Sequence, residues 1–241
     1  MIETRKNILM PADIAYMIDA STLKLDTSYE DVNNLIEACK KYNFGCCFAW
    51  PAYYELMSRE LKGTNTAFGT SLSFPSGQEP TFIKVIQAEY FVKLEAAEVD
   101  MVMNVGWLKS KRYDEVLDDI KAVKQACGTT SLKVIIEAML LTDDEIRKAC
   151  ELTMAGGAEY VKSGTGFSAD PTTLHHVEVM KAAIGDRIKL KVAGGVRSLD
   201  TLLKMYKRGA DRFGIGLAAS IKIMEEALTY PEGIDLSTID E

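Results

Sequence analysis

The chain has 241 residues, of which 47% are apolar and 26% charged, with a formal net charge of −7. That length suits one large α/β domain or two small ones, and it buries a sizeable core. The acidic balance argues against a general nucleic-acid binder, which needs a basic face, but a small anionic substrate needs only local positive charge.

Along the chain, short apolar runs alternate with helix-length amphipathic segments. The candidate strands are AYMID (15–19), GCCFAW (45–50), TAFGTSLSF (66–74), EVDMVMNV (98–105), LKVIIEAML (132–140), AEYVKS (158–163), IKLKVAG (188–194) and DRFGIG (211–216). Between the first two, SYEDVNNLIEACKKY puts Val32, Leu35, Ile36 and Cys39 on one helical stripe. PTFIKVIQAEYFVKLEA reads the same way through Ile83, Ile86, Tyr90 and Leu94. DDEIRKACELTMAG ends in glycine, a common helix stop, and ASIKIMEEAL marks the last helix. This alternation predicts parallel βαβ units, and eight of them fit an α/β fold of the (β/α)8 TIM barrel type. The expectation is a single domain over 1–241, with the barrel proper at about 14–228. An open doubly wound sheet is the alternative, but the GxGxxG fingerprint is missing after the first candidate strand.

Cys39, Cys46, Cys47, Cys127 and Cys150 form no CxxC pair, and their number is odd. They read as buried free thiols. His175 and His176 are adjacent at a predicted helix start, and adjacent helical residues share no face, so they make a poor metal pair. No apolar run reaches membrane-spanning length, and no N-terminal stretch reads as a signal peptide. The expectation is a cytoplasmic protein that engages neither membrane nor nucleic acid.

A barrel places its catalytic groups towards the C-terminal strand ends. Asp19, Asp100, Lys162 and Lys191 fall at or near those ends. Lys189 and Lys191 share a strand face, so Lys191 is expected to point into the barrel, and Lys133 and Glu137 have the same parity on the fifth strand. One reading of these charges is a buried ion-pair network. The other is an amine nucleophile. A lysine is protonated at neutral pH, but burial and a second cation lower its pKa and free the amine to attack a carbonyl. Lys162 and Lys191 lie on neighbouring strands, and Asp100 is placed to shuttle protons. Such a set suits Schiff-base chemistry. Glycine-rich loops follow the sixth, seventh and eighth strands (SGTG, AGGVRS, GIG), where barrels often bind phosphate through backbone amides, and Arg197 adds a cationic fork.

These motifs together resemble the deoxyribose-phosphate aldolases. YVKSGTGF looks like that family's lysine motif and KVAGGVRS like its second lysine motif. EVDMVMNVG resembles its acidic strand, and LKVIIEAMLLTDDEI its fifth βα unit. MIDASTLKLDTS and SFPSGQ are similar to its first and third units, so the likeness runs from about 14 to 220. The resemblance implies a class I aldolase on a (β/α)8 barrel. Lys162 would form the Schiff base, Lys191 would perturb it and relay a proton, and Asp100 would be the general acid/base. The reaction implied is reversible cleavage of 2-deoxy-D-ribose 5-phosphate to acetaldehyde and D-glyceraldehyde 3-phosphate, with no metal and no cofactor. Asp19, Ser21, Thr165, Gly166, Gly194, Gly195, Arg197, Gly214 and Gly216 are expected to bind substrate. A homo-oligomer is expected.

The sequence departs from the family pattern in several places. Gly164 replaces a hydroxyl residue, and Ala20 and Ser21 stand in the first unit where histidine or leucine and then threonine are usual. Gly216 and Leu217 replace a serine pair that holds phosphate, and the acidic end GIDLSTIDE lacks a terminal tyrosine that some members carry. Two alternatives therefore stay open: the same chemistry on a different or unphosphorylated short aldehyde acceptor, and a phosphate-binding barrel without catalysis.

Overall fold

In the computed structural model, the described residues run from 5 to 240, so residues 1–4 and 241 of the expected domain lie outside them. Ten strands occur among these residues: β1 (Ile8–Leu9), β2 (Ile18–Ser21), β3 (Cys46–Phe48), β4 (Ala67–Leu72), β5 (Glu98–Val102), β6 (Ser131–Ile135), β7 (Tyr160–Lys162), β8 (Lys189–Ala193), β9 (Arg212–Gly216) and β10 (Ile234–Asp235). Strands β2 to β9 close into a barrel in chain order, every pair parallel. This is the eight-stranded barrel that the alternation predicts, and it excludes the open sheet.

The pleat divides each strand into two faces. Val99, Met101, Leu132, Val134, Val161, Leu190, Val192, Phe213 and Ile215 share the outward parity and are buried in the hydrophobic core under the helix layer. The inward parity carries Asp19, Asp100, Lys133, Lys162, Lys191 and Arg212, all buried as well. The barrel therefore keeps its apolar core outside the strand ring and a polar one inside it.

Several element boundaries differ from expectation, each for a local reason. Residues 15–17 end a helix, Pro11–Met17, instead of starting a strand. Pro11 presets φ for the first turn, and the Asp13 carboxylate accepts from the Met10 N–H at 3.0 Å. The fourth expected strand stops at Val102, because the Asn104 side chain caps helix Val105–Lys109 by accepting from the Trp107 N–H. The fifth stops at Ile135, and Glu137 turns the chain with a left-handed φ of 51°. The β1–β10 pair is antiparallel and two residues long, too short for any periodicity to signal.

The stripe Val32, Leu35, Ile36 and Cys39 is buried on helix Tyr29–Tyr42, as its spacing predicts. The stripe expected on helix Thr81–Lys93 is not. Ile86 and Tyr90 are exposed there, while Lys84, Ala88 and Phe91 are buried. Lys84 can be buried because it donates to Asp119 at 2.6 Å and to the Val102 carbonyl at 3.3 Å. A sequence pattern that sorts lysine to the outside has no view of that partner on another helix. All five cysteines are buried free thiols. No helix among the described residues is long and apolar enough to cross a membrane.

Candidate active site

Lys162 ends β7 and is the register partner of Lys191 on β8, so their side chains enter the barrel side by side. Asp100, in the middle of β5, faces them across the interior. Both amines donate to the same oxygen, Asp100 Oδ2, at 2.7 Å each. The other oxygen, Oδ1, is buried without a hydrogen-bond partner among the described residues. Lys191 also pairs with Asp19 Oδ2 at 2.6 Å. Below this, Arg212 and Lys133 bind both Asp19 and Glu98. The interior is thus one continuous ladder: Lys162, Asp100, Lys191, Asp19, then Arg212 and Lys133 on Glu98.

Lys162, Lys191, Lys133 and Arg212 face Asp100, Asp19 and Glu98, so the set is electrically balanced only when one amine is neutral. Lys162 is the amine that gives way. Burial pushes its pKa down to about 8, and Lys191 adds to the fall, while Asp100 opposes it without prevailing. Lys133 and Arg212 move the other way, because neighbouring carboxylates outweigh their burial. Burial would raise the Asp100 carboxyl, but Lys162, Lys191 and Lys133 together hold it at about 2. Lys162 is also the accessible member. Its side chain keeps 8% exposure, against 1% for Lys191 and none for Asp100.

A cavity of about 910 Å³ opens over Lys162 at the C-terminal ends of the strands. The expected binding residues Asp19, Ser21, Thr165, Gly166, Gly194, Gly195, Arg197, Gly214 and Gly216 all line it, as do Lys162 and Lys191. Asp100 sits behind the two amines, off the cavity wall. Both oxygens of Asp19 are occupied by cations, and the Ser21 hydroxyl at the rim donates to the Ile215 carbonyl at 3.4 Å. The loop after β7 is clamped from the turn after the preceding strand, β6: Glu137 accepts from the Thr165 N–H and the Ser168 hydroxyl. Glu137 therefore belongs to this loop and not to an ion pair with Lys133 inside the barrel. Gly195, with a φ of 96°, lies against Pro171, whose Cβ would be 2.6 Å from an added Cβ. Only glycine lets these two loops meet.

The cavity wall also holds residues that sequence reasoning did not single out: Lys24, Phe48, Ser71 and Lys222. Lys222 lies on helix Leu217–Ala227, whose first turn begins directly after Gly216. Its place six residues beyond the glycines was the available signal. None of Lys24, Arg197 and Lys222 makes an ion pair among the described residues, so three cations line one cavity without a salt-bridge partner. Deeper in the barrel, Asp19, Cys46 and Glu98 come close enough together to suggest a cation site. They do not fit one, because Lys133 and Arg212 already hold both carboxylates, and burial with those carboxylates keeps Cys46 a neutral thiol.

The chain has close counterparts among known proteins. Residues 8–224 match the sequence model of the DeoC/LacD family aldolases. The chain belongs to this family of aldolases. A deoxyribose-phosphate aldolase from Staphylococcus epidermidis is 40% identical over 211 residues, covering 88% of this chain and 95% of that one. The solved structure of a protein assigned as a deoxyribose-phosphate aldolase from Coccidioides immitis superposes with a TM-score of 0.87 at 34% identity, over 92% of this chain and 88% of that one. The deoxyribose phosphate aldolase of Aeropyrum pernix, described as having a unique tetrameric structure, gives 0.80 at 25% identity over 90% and 91%. This aldolase therefore shares its barrel and most of its length with enzymes named for one activity.

Proposed function

We propose that this aldolase cleaves 2-deoxy-D-ribose 5-phosphate reversibly to acetaldehyde and D-glyceraldehyde 3-phosphate through a Schiff base on Lys162. One observation carries the reading: an amine with its pKa lowered to about 8 reaches a large cavity while sharing a carboxylate oxygen with a second amine. The neutral Lys162 amine attacks the substrate's aldehyde carbon to give a carbinolamine. Protonation of its hydroxyl expels water and leaves an iminium. The C2–C3 bonding pair then flows into the iminium to form an enamine, as the C3 hydroxyl loses its proton and becomes the aldehyde of glyceraldehyde 3-phosphate. Protonation of the enamine at C2 and hydrolysis release acetaldehyde and the free amine. The protons pass through Lys191 and Asp100, whose unpartnered Oδ1 supplies acceptor capacity beside the two amines. Asp19 acts through Lys191, which it holds in place.

The phosphate sits against the backbone amides of the loops after β8 and β9 and the start of helix Leu217–Ala227, with Arg197 and Lys222 supplying charge. A second reading keeps the chemistry and drops the phosphate, and the lack of side-chain hydroxyls at Gly216 and Leu217 favours it. The whole chain acts as one domain. A homo-oligomer fits the exposed apolar side chains Phe82, Ile86 and Tyr90 on one helix face, and five unpaired buried thiols fit the cytoplasm.

Borohydride trapping tests the proposal. Reduction in the presence of deoxyribose 5-phosphate, and separately of acetaldehyde, is expected to leave adducts on Lys162, located by mass spectrometry after digestion. Failure to trap either adduct on Lys162 would refute the Schiff-base assignment. A kcat/KM no higher for deoxyribose 5-phosphate than for deoxyribose would favour the second reading.

A further inference from the structure

Phe48 is an aromatic residue beside the two amines that Schiff-base chemistry does not call for. It ends β3, is 4% exposed, and lies on the cavity wall among charged groups. Its ring centroid is 4.2 Å from Lys191 Nζ and 6.0 Å from Lys162 Nζ. The ring is fixed from behind by Gly69 of β4. A Cβ added at Gly69 would fall 2.3 Å from the ring's Cζ and 2.6 Å from each Cε. The missing side chain at Gly69 is therefore the slot that the ring fills, and the β4 backbone stops it from retreating.

The distance from Lys162 to this ring has a consequence for the aldehyde that Lys162 carries. On an iminium, the donor's second carbon lies roughly 2.5 Å from the nitrogen, and carbon–carbon contact needs about 3.5 Å. Together these fill the 6.0 Å between Nζ and the ring centroid. A two-carbon chain directed at the ring touches it, and a third carbon collides with it. We propose that Phe48 is a specificity-determining residue that limits the donor aldehyde on Lys162 to two carbons. The inference rests on the Schiff-base reading of Lys162 and adds to it the element that measures the donor. The acceptor lies towards Arg197 and Lys222 and is not sorted by this ring.

The test measures kcat/KM for acetaldehyde and for propanal, each with glyceraldehyde 3-phosphate as acceptor, in the wild type, Phe48→Leu and Phe48→Ala. One methylene against a rigid apolar wall corresponds to about 10- to 200-fold discrimination. The wild type is expected to prefer acetaldehyde by at least about tenfold, and Phe48→Ala to erase most of that preference through the KM for propanal. Phe48→Leu keeps most of the packed volume, so it carries the test if the alanine variant does not fold. It is expected to lie between the other two. Gly69→Ala pushes the ring towards Lys162 and is expected to raise the KM for acetaldehyde itself. A purely structural role for Phe48 would slow both donors alike and leave their ratio unmoved, and that result overturns the inference. Borohydride trapping with acetaldehyde separates the two levels of failure. An adduct on wild-type Lys162 with an unmoved ratio rejects the donor gauge alone. No adduct rejects the Schiff-base reading and the gauge with it.

Discussion

Replacing Lys191 with methionine tests the electrostatic reasoning directly. Lys191 and Lys162 are each 2.7 Å from Asp100 Oδ2, so the two amines lie within twice that distance of one another. At a separation of about 5 Å and an effective dielectric of about 20, their repulsion is about 3 kcal/mol, or about 2 pKa units. With a pKa of about 8, Lys162 is neutral in about a tenth of molecules at pH 7, and Lys191→Met lowers that to about a thousandth. Stripping Asp100 and Asp19 of a cation acts in the same direction. The expected result is a roughly 100-fold loss of kcat/KM at pH 7 that is partly recovered by pH 10, because the rising limb of the profile moves up with the amine. Lys191→Arg keeps the charge and is expected to leave that limb near its wild-type position. The pH dependence of cyanoborohydride trapping on Lys162 gives the same pKa without turnover. If Lys191→Met loses rate equally at every pH and its limb stays near 8, then Lys191 serves only to move protons and the repulsion argument is wrong.

Two other outcomes follow from the same geometry. Lys222→Gln removes one of the open cations on the cavity wall, so KM for deoxyribose 5-phosphate should rise about tenfold while turnover of unphosphorylated deoxyribose is unchanged. Asp100 has a folded pKa of about 2 against an ordinary 3.8, so it contributes about 2 kcal/mol of stability that is fully present above the ordinary value and lost as pH falls through the folded one. Urea titrations between pH 5 and pH 2 should show that loss in the wild type, and Asp100→Asn should lack this part of the slope.

Much of the molecule was legible from its sequence because barrels write simple periods. Eight apolar runs spaced by helix-length segments were enough for the closed parallel sheet, since each strand must turn one face to a helix layer. Period-two parity placed Lys191 inside, and Lys162 stood out as a lysine closing an apolar strand before a glycine-rich turn. The boundary errors came from capping. Asp13 and Asn104 each start a helix by one local bond and Glu137 ends a strand run by a left-handed φ, and a hydrophobic period registers neither. The stripe on helix Thr81–Lys93 failed because its buried lysine depends on Asp119, which lies 35 residues away in sequence.

The chemical type of the site was thus determined by sequence: two lysines and an aspartate on inward strand positions, with glycine loops at the strand ends. Which amine is free was decided only by the tertiary structure. That choice depends on the balance of burial against charges drawn from six strands, with Asp19, Glu98, Lys133 and Arg212 completing the ladder. The placement of Phe48 against Gly69 is of the same kind. A pKa and a distance across a barrel are sums over neighbours that are remote in the chain, and no local pattern contains them.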